Sequence, residues 1–287
     1  MGGVVAQQKS DQQGSIGSSP SATDTINNDY ATLLKEYEAG KRDSAFLRNL
    51  TIIADGQNDK KTARNIANVY ISQITFPYAD QNIKFICRYT YATTDTGFHL
   101  LFNNQQKVNS LAGKNTAEAA IKRIIAAQEI EPHLVNKTQE PDWNKIAASV
   151  SRFGVLGMEK LYGTQMIYYY EKKDWKNFGK YFNLYYQTAY DRSEFHINNL
   201  SWSIFEHVKD TAVLKAAVKV LGFSIQHFDQ SNANAHDTYA NLLHKCGNTS
   251  EAIKWEEKAL RMDPNDRWKQ EVLMKMKAGR PTWPDAD

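Results

Sequence analysis

The chain has 287 residues, of which 41% are hydrophobic and 23% charged, and carries a net charge of only +3. That balance belongs to a globular protein and argues against nucleic acid as a partner, because so small an excess sets up no strong field for a polyanion. The only two cysteines, Cys87 and Cys246, lie far apart with no C-x-x-C pair, so the chain holds neither a thioredoxin-like redox centre nor a cysteine zinc site, and no apolar run is long enough to span a membrane.

Residues 1–27 are rich in Gln, Ser, Gly and Asp, with few large apolar side chains to offset chain entropy, which predicts a flexible polar tail. Val5-Ala6 before Gln7 resembles the end of a secretory signal and points to export, to the periplasm or the medium. An ordinary polar start, compatible with the cytoplasm, is the competing reading. Order is expected from Asn28, where Tyr30, Leu33, Leu34 and Tyr37 recur at helical spacing ahead of Gly40. A helix pair follows, 44–55 and 59–74. Phe46, Leu47, Leu50 and Ile53 of the first face Ala63, Ile66, Ala67 and Tyr70 of the second.

The next stretch is less regular, with helices predicted over 82–90, 97–111 and 116–128. The brief alternation in 85–91 could form a strand but has no partner strand, so helix is preferred. Pro141-Asp142-Trp143 opens a further helix. Pairs are then expected at 158–172 with 175–190, 195–208 with 211–228, and 237–246 with 250–262. A helix over 266–277 would cap the series and 278–287 would trail as an extended tail. The chain thus divides into a tail, a region 28–140 and a region 141–277. Fifteen Tyr, twelve Phe and six Trp against seven Pro suit long helices with bulky packing.

Within the last pair the runs Leu243-His244-Lys245-Cys246-Gly247, Glu251-Ala252-Ile253, Lys258-Ala259-Leu260 and Asp263-Pro264-Asn265 resemble a tetratricopeptide (TPR) repeat. The pattern has a physical basis. Ala252 and Ala259 are small where two helix backbones cross, Gly247 ends the first helix in a left-handed cap, and Pro264 stops the second. One such unit cannot bury its apolar face alone and must stack on neighbours. The expected fold is therefore all-α, a TPR-like right-handed α-α superhelix (solenoid). Glu256 stands where the pattern is usually aromatic, with Trp255 beside it, which predicts a second helix rotated to bury Trp255.

Taken together, Tyr37-Glu38-Ala39-Gly40-Lys41-Arg42-Asp43, Thr96-Gly97-Phe98, Lys173-Asp174-Trp175, Asn199-Leu200-Ser201-Trp202 and Asp237-Thr238-Tyr239-Ala240-Asn241 resemble the helical region that follows the thioredoxin-fold domain in bacterial thioredoxin-like proteins. In that family the cysteine pair would lie ahead of Tyr30. Here only a polar stretch stands there, so disulfide exchange maps onto no residue of this chain. The resemblance implies either a stand-alone helical module or the helical portion of a disulfide reductase.

No nucleophile elbow, zinc-protease, Walker or dinucleotide motif is present. Asp142, Asp174, Asp210 and Asp237 read as helix caps. The seven histidines are scattered, and His244 and Cys246, two apart on a helix, face different ways, so no metal or other cofactor is expected. The runs Tyr168-Tyr169-Tyr170 and Tyr185-Tyr186 straddle the buried stripe, and Tyr169 reads as core with Phe178 and Phe182, although the aromatic stretch 162–202 leaves a carbohydrate or small-ligand binder as an alternative. In TPR arrays the first helix of each pair lines a peptide groove. That geometry nominates Asp237, Asn241 and Lys245, spaced at four, together with Asn199 and His207. The expected function is a non-catalytic interaction or scaffold module with a protein or peptide partner.

Overall fold

Why the chain caps and turns where it does is visible in its Asp, Asn and Gly residues. The computed structural model describes residues 22–136 and 138–284, and among these it is helical throughout, with no strand. The expectations for residues 1–21, including the signal-like Val5-Ala6, lie outside the described residues. The chain divides into two units, Met1–Pro77 and Tyr78–Asp287, so the region break expected near 140 lies within the second.

In the first unit, α1 (Ala22–Glu38) opens ahead of the expected Asn28 and ends before Gly40, whose φ of +100° suits a residue without Cβ. α2 (Ser44–Gly56) and α3 (Lys60–Gln73) form the anticipated pair. Asp43 and Asp59 cap them, accepting from the Phe46 and Thr62 backbone N–H at 2.9 and 3.0 Å. Leu47, Leu50 and Ala54 meet Ala63, Ile66 and Ala67 in a fully buried seam. Ala54 takes the inward position expected of Ile53, which stays half-exposed.

In the second unit, α4 (Asp80–Tyr89) settles the ambiguous stretch as helix. The single helix expected over 97–111 is instead two, α5 (Thr96–Asn103) and α6 (Gln105–Ala112). The break falls at Asn104, where two side chains take helix carbonyls: Asn104 Nδ2 donates to Leu100 O and Gln105 Nε2 to Phe102 O. α7 (Thr116–Ile125) runs into a π-turn at Ala126–Ile130 just before Pro132, which lacks the N–H to continue a helix.

A leading helix, three pairs and a covering helix complete the unit. α8 (Trp143–Val150) leads to α9 (Gly154–Glu171), which packs on α10 (Trp175–Ala189). α11 (Ile197–His207) packs on α12 (Thr211–His227), α13 (Ala233–Lys245) on α14 (Thr249–Met262), and α15 (Arg267–Lys277) covers the last pair. Asp142, Asp174 and Asp210 cap α8, α10 and α12 as anticipated. Asp237 does not: α13 starts earlier, capped by Asn232, and Asp237 lies inside it. Gly247, with φ of +86°, supplies the left-handed turn between α13 and α14. Ala252 and Ala259 are fully buried.

A buried ion network ties these helices to the 190–196 loop. Lys122 Nζ bridges Glu159 and Glu194 at 2.7 Å each, Arg192 reaches the other oxygen of Glu159 at 2.7 Å, and Lys160 reaches Glu194 at 2.8 Å. Alternating signs let the buried Glu159 and the more exposed Glu194 each meet two cations, which offsets the desolvation of Glu159 and Lys122. Nothing in the local sequence pattern announces it, because its members come from three separate segments, α7, α9 and the loop.

Candidate functional site

The positions nominated for a groove separate into four settings. Asn199 is exposed on α11. His207, at the end of that helix, stacks its ring on Trp175 of α10 at 3.9 Å and 14°. Asp237 and Asn241 are buried, which corrects the expectation that they line an open groove. Their four-residue spacing runs along the face of α13 that packs on α14 and α15, rather than the face turned to solvent.

There Asn241 Nδ2 donates to Asp237 Oδ1 at 2.8 Å and to its backbone carbonyl at 3.0 Å. Opposite stands Glu256 of α14, also fully buried, so α14 has not rotated to exchange it for Trp255. Trp255 is half-buried, its ring edge-on to Tyr239 and His236 and its Nε1 donating to Glu251. Burial, then the adjacent Asp237 carboxylate, pushes the Glu256 carboxyl up to about 9. Burial likewise raises Asp237 to about 6, held back by the hydrogen bond from Glu256 and the charge of Lys269. Glu256 therefore keeps its proton at neutral pH and hydrogen-bonds through it to Asp237, as two adjacent buried carboxyls do when only one can ionise.

Lys245 is half-buried. Its ammonium donates to the Phe205 carbonyl and lies 5.8 Å from the ring centre of Trp283. Burial and the nearby charge of Lys209 lower its pKa. Trp283 belongs to the segment expected to trail free. Instead, residues 279–284 lie against α13. The Arg280 carbonyl sits 2.9 Å from His244 Nε2, which must carry the proton, because a carbonyl can only accept; Nδ1 then accepts from Thr249 Oγ1 at 2.9 Å. Trp283 packs 5.5 Å from the His244 ring, and Thr282 is buried. The signal for this docking was Trp283 itself, a large ring in a stretch otherwise fit for a tail.

Most of the aromatic stretch is interior. Tyr169, Phe178, Phe182, Tyr185 and Tyr186 are buried, with Tyr169 and Tyr181 stacked at 5.4 Å. Near the Trp175–His207 stack, however, a recess of about 600 Å³ opens between α10 and the turn from α11 to α12. Leu184, Val208 and Val213 supply its apolar surface and Lys176, Lys180 and Lys209 its cations. Among the described residues no group of three or more His, Cys, Asp or Glu side chains converges as a metal would need.

No family model matches the chain, and no curated protein matches it. The described helices include none long and apolar enough to cross a membrane.

Proposed function

We propose that the chain is a non-catalytic, TPR-like protein-interaction module whose final helix pairs recognise an extended segment of a protein partner. The observation that carries this reading is the docked segment 279–284. A surface formed by α13 already holds an extended peptide through one backbone hydrogen bond, from His244 to Arg280, and one aromatic anchor, Trp283. Backbone capture plus a side-chain pocket is the economy by which extended peptides are recognised generally. Successive pairs packed side by side, α10 on α12 and α11 on α13, suit the stacked repeats of a right-handed solenoid.

The test uses a labelled peptide of the sequence 279–284 and the full chain, with and without Trp283→Ala. The variant, its own anchor removed, should bind the peptide saturably. The unaltered chain should bind about tenfold or more weakly, because its tethered copy competes at millimolar effective concentration. A variant that keeps its helical circular dichroism yet shows no saturable binding overturns the reading.

A further inference from the structure

The recess beside the Trp175–His207 stack is built from a different set of helices than the surface that holds residues 279–284. Its walls are the second helices of successive pairs, α10 and α12, with the end of α11 between them. Gly179 lets α10 come close here: a Cβ at that position would stand 3.3 Å from Val213 Cγ1 and 3.4 Å from Val208 Cγ1. The close approach leaves an apolar floor in an opening of a size that takes a few side chains rather than a whole domain.

The rim is cationic and uncompensated. Lys176, Lys180 and Lys209 form no ion pair among the described residues, although the Glu206 carboxylate lies 3.8 Å from His207 Nε2. Lys180 lies over the Tyr181 ring at 4.9 Å, a contact that leaves its charge available. The one carboxylate that lines the recess, Asp210, is already engaged: it caps α12, accepting from the Ala212 and Val213 N–H at 2.8 and 3.4 Å. Asn183, half-buried in the same wall, makes no side-chain hydrogen bond among the described residues and offers both a donor and an acceptor. Three free ammonium groups around an apolar floor, with a stacked aromatic pair at one side, form a surface complementary to an acidic segment carrying a large apolar side chain.

We propose that this recess is a second recognition site, separate from the docked segment, which binds an acidic peptide whose one aromatic or aliphatic side chain enters beside Trp175 and His207. The apolar side chain supplies the affinity that exposed ion pairs alone do not, and the lysines set the charge preference. Nothing in this proposal depends on the surface of α13 or on Trp283.

The experiment is titration of the full chain with three labelled hexapeptides: five Asp/Glu with one Phe, the same with Ala in place of Phe, and five Lys with one Phe. Amide chemical-shift mapping locates any binding. The acidic Phe peptide should bind, weaken as salt rises, and perturb residues 175–184 and 207–213. The Ala and Lys peptides should bind far more weakly. Lys176→Glu, Lys180→Glu and Lys209→Glu combined, each replacing an attraction by a repulsion, should weaken the acidic peptide roughly tenfold or more. These side chains are on the surface, so the variant should keep its circular dichroism. Absence of binding, perturbation centred elsewhere, equal binding of the Lys peptide, or unchanged affinity after charge reversal would each overturn the proposal. The same titrations with the 279–284 peptide report separately on the α13 surface.

Discussion

Two helix pairs in this chain solve the same crossing problem with opposite chemistry. In α2/α3, alanines at 54, 63 and 67 let the backbones approach, and Leu47, Leu50 and Ile66 fill what remains, all without exposure. In α13/α14, Ala240, Ala252 and Ala259 play the same steric part, but Asp237, Asn241 and Glu256 share the seam. The first pair is dry and the second is polar. Small residues set the geometry in both, whereas the residues around them decide whether the seam responds to its surroundings. A dry seam depends on packing alone. A polar one depends on every partner being present and correctly protonated.

The largest effect should come from emptying the dry seam. Leu50→Ala removes a fully buried side chain with no polar group able to fill the space, and should cost about 3 kcal/mol, read as loss of hydrogen-exchange protection in α2 and α3. A change below about 1 kcal/mol would mean the seam can collapse around the gap and is less tightly packed than its burial implies. Overpacking the polar seam comes next. Ala252→Leu should cost roughly 1–3 kcal/mol and lower the melting temperature, because the crossing has no room for the added methylenes. An unchanged melt would show that α14 can shift on α13, removing the steric likeness between the two pairs.

What could be read from sequence divides along the same line. Apolar periodicity placed α2, α3 and most of the later helices, and the Asp caps at 43, 59, 142, 174 and 210 fall where short polar side chains precede apolar runs. Periodicity says little about a polar residue on a buried face. The TPR pattern places Asp237 and Asn241 on the groove face of a first helix, and only their partners, Glu256 from another helix and Lys269 from a third, make their burial tolerable. Glu256 in an aromatic position was the one local sign of this, and it pointed to rotation of α14 instead. The break at Asn104 and the ion network around Glu159 escaped for a related reason. Both depend on side-chain hydrogen bonds that a hydrophobic pattern does not register.

The smallest effect per unit of perturbation, and the sharpest test of the contrast, is pH. Glu256 ionises at about 9 in the folded chain against an ordinary 4.5, and Asp237 at about 6 against 3.8. A carboxyl with a raised folded pKa binds more protons when folded than when unfolded between the two values. Its contribution is therefore fully present below the ordinary carboxylate range and is lost as pH rises towards the folded value. The groups facing the pair are Lys269, which favours ionisation, and Asp266, which opposes it. Lys269 is itself bound to Asp266 and to Asn234 Oδ1 at 3.0 Å, so it cannot turn fully to a second carboxylate. Between pH 5 and 9, exchange protection in α13 and α14, corrected for the intrinsic rate, should fall by up to about 1 kcal/mol per pH unit. The α2/α3 seam, with no carboxylate inside it, should stay flat. Glu256→Gln keeps a donor for Asp237 but cannot ionise, so it should abolish the decline above pH 6 while leaving the lower step. If the substituted and unaltered chains lose protection in parallel, the proton on Glu256 does not hold this seam together, and the two pairs differ in composition but not in what stabilises them.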